Sequence, residues 1–130
     1  MDDLFSIQEL TENSSIVLAR ARAGHTVRLY DPEGYDFSLC STRQLEELRQ
    51  LAEISATLLL LLRARGQVPG EAIPLADYGL WPWLRHLDGE TLDLFLAEVV
   101  PATAAAAREQ AVAPLQDLLS RWRGEAEASR

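Results

Sequence analysis

The segment from Phe5 to Tyr30 fixes one strand, one helical stretch and a second strand in that order, and the order limits what the chain can fold into. Leu4 to Ile7 alternates in polarity and predicts a short edge strand. Glu9 to Arg22 places Leu10, Ile16 or Val17, Leu18 and Ala21 near one helical face, with Asn13-Ser14-Ser15 in the middle. Such polar side chains compete for backbone hydrogen bonds, so two short helical pieces meeting there are expected. Gly24 stands where a left-handed helix cap belongs. Val27 and Leu29 then alternate with Arg28 and Tyr30. In the turn Asp31-Pro32-Glu33-Gly34, proline fixes φ early and glycine takes a positive φ late. Tyr35, Phe37 and Leu39 alternate with Asp36 and Ser38 and close a β-hairpin.

Ser41-Thr42 offers a helix N-cap. From Leu45 the positions Leu48, Leu51, Ala52, Ile54 or Ser55, Leu58, Leu59 and Leu62 keep helical spacing, opposite Arg43, Glu46, Glu47, Arg49 and Glu53. Toward Leu58–Leu62 the apolar character wraps round the helix, so something should bury that end. Gly66 to Pro74 is rich in Gly and Pro and reads as a linker. Beyond it come an aromatic stretch with Tyr78, Trp81 and Trp83, a turn at Asp88-Gly89-Glu90, and a helix over 91–100. Pro101 and Pro114 are each placed to open a further helix. In the last helix Leu115, Leu118, Leu119 and Trp122 line one face, and Gly124 to Arg130 is expected to fray.

The chemistry of most enzymes is missing from the 130 residues. His25 and His86 lie in different halves without acidic or cysteine neighbours at ligand spacing, and no catalytic triad, phosphate loop or HExxH pattern occurs. The expectation is a protein with no enzymatic activity, no cofactor and no metal. Cys40 is the sole cysteine, which excludes a disulfide framework, and it reads as a small buried apolar residue. A net charge of −8 argues against indiscriminate nucleic-acid binding. The N-terminus starts acidic, with no apolar stretch after it, and the leucine run at 58–62 is far below the roughly 20 residues of a membrane span. A cytoplasmic protein without membrane attachment is expected.

The order from Phe5 to Tyr30, with Glu9-Leu10 opening the helix and Arg22-Ala23-Gly24 closing it, resembles the N-terminal half of Phd/YefM-type (prevent-host-death) antitoxins. These are small bacterial repressors that also neutralise a partner toxin. In the second half, Trp83-Leu84, Leu87-Asp88, Phe95-Leu96-Ala97-Glu98 and Leu118-Leu119-Ser120-Arg121-Trp122-Arg123 look like the helical C-terminal region of some actinobacterial-type members. The resemblance implies an α+β fold: a small N-terminal Phd-like β-sheet with packed helices, then an α-helical C-terminal region. The expected organisation is a dimerisation domain over 1–66, a linker over 67–74 and a helical partner-binding region over 75–130.

The resemblance also implies roles. The family's sheets pair into a homodimer, here through Val27, Leu29, Phe37 and Leu39. A cognate toxin is expected on Trp81, Trp83, Leu84, Leu87, Phe95, Leu118, Leu119 and Trp122. Trp81 and Trp83 read as core anchors with some of their surface contacting the partner, ahead of the alternative of fully exposed binding aromatics. Asn13, Ser14, Arg20 and Arg28 occupy positions able to reach an operator. The chain departs from the family there: Thr11 stands where many members carry arginine, and the hairpin turn is acidic rather than arginine-rich. Residues 1–41 hold seven acids against three arginines, a balance of −4 that repels a phosphate backbone. Toxin sequestration is therefore expected ahead of DNA-bound autoregulation. The alternative from a different class is a stand-alone interaction or scaffold protein that keeps the fold without DNA binding.

Overall fold

The computed structural model describes residues 3–67 and 73–129. The chain divides into two compact units, Met1–Glu46 and Glu47–Arg130. Helices dominate and one small sheet is present, so the class is α+β.

In the first unit, β1 (Asp3–Ser6) runs parallel to β2 (Val27–Tyr30), and β2 pairs antiparallel with β3 (Asp36–Leu39), giving the sheet order β1-β2-β3. β1 is an edge strand, as its sequence suggests. It stops at Ser6, whose Oγ accepts the Glu9 N–H at 3.0 Å and so caps α1 (Ile7–Glu12), two residues earlier than the periodicity places the helix start. Asn13 breaks the helical stretch with φ −128°, and α2 (Ser14–Arg22) follows. At its end Gly24 takes φ +89°, the His25 N–H reaches the Arg20 carbonyl, and the Gly24 N–H reaches that of Ala21. These are the two bonds of a Schellman cap. Gly34 takes φ +91° in the hairpin turn, where its N–H bonds the Asp31 carbonyl at 2.9 Å.

Val17, Ala21, Val27 and Leu29 form the core of this unit, with Phe5, Ile7, Leu10 and Leu39 packed against it. Val17 rather than Ile16 turns inward, and Ile16 and Leu18 stay exposed. Cys40, expected to be buried, is half-exposed.

Ser41 Oγ accepts the Gln44 N–H at 3.1 Å and caps α3 (Thr42–Gln67), a helix of 26 residues. The unit boundary at Glu46/Glu47 leaves only its first turn in the first unit, so most of α3 packs with the C-terminal helices and not within the expected 1–66 domain. Most of the expected linker, residues 68–72, lies outside the described residues.

The second unit is built round the inward face of α3: Ile54, Thr57, Leu58 and Leu61. Two 3-10 turns, Leu75–Tyr78 and Pro82–His86, carry Trp81, Trp83 and Leu84 onto it. Between them Gly79 holds φ +54°, and a Cβ there would lie 2.9 Å from Thr57 Oγ1, so only glycine lets the turn come this close. Asp88 accepts the Thr91 N–H at 2.7 Å and caps α4 (Gly89–Glu109). Pro101, expected to start a new helix, lies inside α4. Continuation is favoured by Val99, Thr103 and Ala106, whose inward packing on both sides of the proline offsets the lost hydrogen bond. α5 (Ala113–Ala128) has Pro114 in its first turn, as expected, but continues through Gly124 to Ala128. Ala126 is fully buried one turn after Trp122, and the Arg123–Glu127 pair spans the same turn, so this end does not fray at Gly124.

Candidate partner-binding surface

The aromatic residues expected to meet a partner are mostly core. Phe95 is completely buried and receives Trp81, Trp83 and Trp122 edge-on, with ring centroids 5.6, 5.9 and 5.5 Å away. Trp122 also donates its Nε1–H to Glu98 Oε2 at 2.6 Å, tying α5 to α4. Leu84 is fully buried, while Trp83, Leu87, Leu118 and Leu119 are half-buried against the same cluster. These side chains cement the three long helices, and a partner could reach Trp81, Leu84 or Phe95 only by unfolding the unit, while Trp122 shows no more than an edge. That corrects their expected role.

The second unit leaves apolar surface open on the outer sides of α3 and α4. Leu62, Arg65 and Gly66 from α3 and Asp93, Leu96, Ala97, Val100 and Pro101 from α4 line a groove of about 520 Å³. A second groove of about 390 Å³ lies on the α5 side, lined by Leu94, Ala97, Glu98, Arg121, Trp122 and Glu125. Ala97 borders both. Leu94 is 59% exposed and Val100 37%. At one end of the first groove Arg65 Nε donates to Asp93 Oδ1 at 2.9 Å, and Arg65 Nη2 also reaches the Gly89 carbonyl at 3.0 Å. The Arg65 hydrogen bond holds the Asp93 carboxyl below its usual pKa, and the same bond raises that of Arg65. Pro101 has no N–H to offer the Ala97 carbonyl one turn back. An apolar floor with a charged rim is the kind of groove into which the apolar face of an amphipathic helix docks.

Sequence periodicity missed this surface because Leu92, Phe95, Leu96 and Val99 already supply α4 with one apolar face. The available signal was a second stripe, Leu94, Ala97, Val100 and Pro101, on the same helix.

The residues expected at a dimer interface divide. Val27 is fully buried and Leu29 is 5% exposed beneath α2, so both serve the unit's own core and neither can meet a second sheet. Leu39 is half-buried on that core, and Phe37, paired with Leu29, is 51% exposed.

The DNA candidates do not converge. Asn13 and Ser14 are exposed at the α1–α2 junction. Arg28 alternates with buried Val27 and Leu29, so it stands on the open face of the sheet, where it pairs with Asp36 at 3.3 Å. Arg20 belongs to α2 on the covered side and pairs with Asp3 at 3.4 Å; Asp3 also faces His25 Nδ1 at 3.5 Å. Both arginines are offset by carboxylates on opposite sides of the sheet.

Among the described residues no helix is long and apolar enough to cross a membrane. Comparison with protein-family models, curated proteins and solved structures finds no match to this chain.

Proposed function

We propose that this is an antitoxin-type binding protein that sequesters a partner protein on its second unit. The observation that carries the reading is the α3/α4 groove, an apolar trough with a charged end on the half of the chain where the family resemblance puts toxin binding. The element order of the first unit, strand, two short helices, strand, strand, fits the order the resemblance implies and supports the same reading. The occupant is an amphipathic helix or apolar segment of a basic protein, since the chain carries a net charge of −8 and opposite charge speeds encounter. Operator binding takes second place, because Arg20 and Arg28 are each matched by a carboxylate. The test is co-purification with the product of the adjacent reading frame. Wild type should retain the partner, and Ala97→Arg, which fills the border of both grooves from an exposed position, should release it with the fold intact.

A further inference from the structure

We infer that the outer face of α3 is a self-association seam, on which a second copy of this chain packs its own α3 antiparallel about a two-fold axis. The inference does not depend on the antitoxin reading.

The wrapping of leucine round α3 is only half accounted for by the core. Ile54, Leu58 and Leu61 point inward, whereas Leu45 is 59% exposed, Leu48 45%, Leu59 68% and Leu62 43%. With Ala52 and Ser55 they stand at spacings of three, four, three, four and three, the alternation that keeps a seam facing another helix. An apolar stripe of this kind exposed to water marks an interaction surface.

The stripe matches itself. In an antiparallel pairing, residues that stand first in each heptad pair with those that stand fourth in the other copy. Centring the axis midway along the stripe sets Leu45 against Leu62, Leu48 against Leu59 and Ala52 against Ser55 of the second copy. Leucines then meet leucines at both ends, and small residues meet at the middle, where two backbones must come closest. A two-fold interface requires this self-complementarity, and a partner of unrelated sequence would not. Because the core already holds α3 as a helix, association does not have to order it. Six layers therefore suffice where a free peptide would need more.

The test is sedimentation velocity of the full chain from micromolar to hundreds of micromolar concentration, with thermal melting as the control for folding. Wild type should be dimeric. Leu48→Glu with Leu59→Glu sets like charges opposite each other and should weaken the dimer roughly a hundredfold or more while the melt is unchanged. If the glutamates disturb the fold, Leu48→Ala with Leu59→Ala gives the same reading with a smaller loss. Direction is read by oxidation in a Cys40→Ser background. Leu48→Cys mixed with Leu59→Cys should cross-link, and Leu48→Cys alone should not. A monomeric wild type, a dimer indifferent to the leucine substitutions, or efficient cross-linking of Leu48→Cys to itself would each overturn the inference. So would a monomeric wild type whose partner binding is lost in the double variant, which would assign the stripe to a different protein.

Discussion

Replacing Trp122 with alanine separates a core residue from an interface residue, and the structure sets the size of the effect. Trp122 is 8% exposed, stacks edge-on against Phe95 at 5.5 Å and donates a hydrogen bond to Glu98. Removing a buried aromatic of this size costs about 3–5 kcal/mol. Glu98 is exposed and regains water when the indole leaves, so the lost hydrogen bond adds little. For a unit of this length each kcal/mol lowers the melting temperature by roughly 4–8 °C, so the drop should be roughly 12 °C at least. Circular dichroism melting of the full chain reads it. Trp122→Phe keeps the ring contact with Phe95 and loses the N–H, and should fall by about a third as much or less. A melt of Trp122→Ala indistinguishable from wild type would refute the placement of this residue, and with it the assignment of the aromatic cluster to the core.

Other expectations follow from single residues. Gly79→Ala meets Thr57 Oγ1 at 2.9 Å and forces a side chain onto φ +54°, so it should cost about 1–3 kcal/mol in denaturant melts, whereas Gly124→Ala, inside α5 with open space for the methyl, should stabilise by about 0.5–1 kcal/mol. Hydrogen bonding, from Arg65 to Asp93 and from Thr91 to Asp88, lowers both carboxyl pKa values in the folded state. Their contribution is therefore present above the ordinary carboxylate range and lost as pH falls below it. Asp93→Asn should lower stability at neutral pH, leave it nearly unchanged at low pH, and so flatten the acid limb of the stability curve. The protein alone should bind its own promoter fragment no better than micromolar. Asp31→Arg with Glu33→Arg should strengthen binding and steepen its salt dependence by roughly 0.9 per added phosphate contact, and a mobility shift across a salt series measures both.

The first unit was legible because its signals are local. Gly24 and Gly34 sit where only a positive φ closes the chain, Asn13 breaks a helix, and the period of two at Val27–Tyr30 names the buried pair. The second unit was legible as helices but not as a surface. Periodicity identifies which residues are apolar, and nothing in it says which apolar face a neighbouring helix will cover. Leu58 and Leu59 are adjacent leucines, yet one is core and the other is the most exposed large apolar side chain of α3. Trp81, Phe95 and Trp122 looked like binding aromatics for the same reason, since their edge-on packing joins elements far apart in sequence. Pro101 misled because its helix-starting preference is local, whereas the packing of Val99 and Ala106 that carries α4 through it is tertiary.

The most direct measurement of the central claim is a calorimetric titration of the full chain with the product of the adjacent reading frame, alongside Ala97→Arg. The account predicts a saturable complex of submicromolar affinity with a negative heat-capacity change from apolar burial. It predicts that Ala97→Arg weakens the complex by roughly tenfold or more and leaves the melting temperature unchanged. No binding by wild type, or equal binding by wild type and Ala97→Arg, would contradict it.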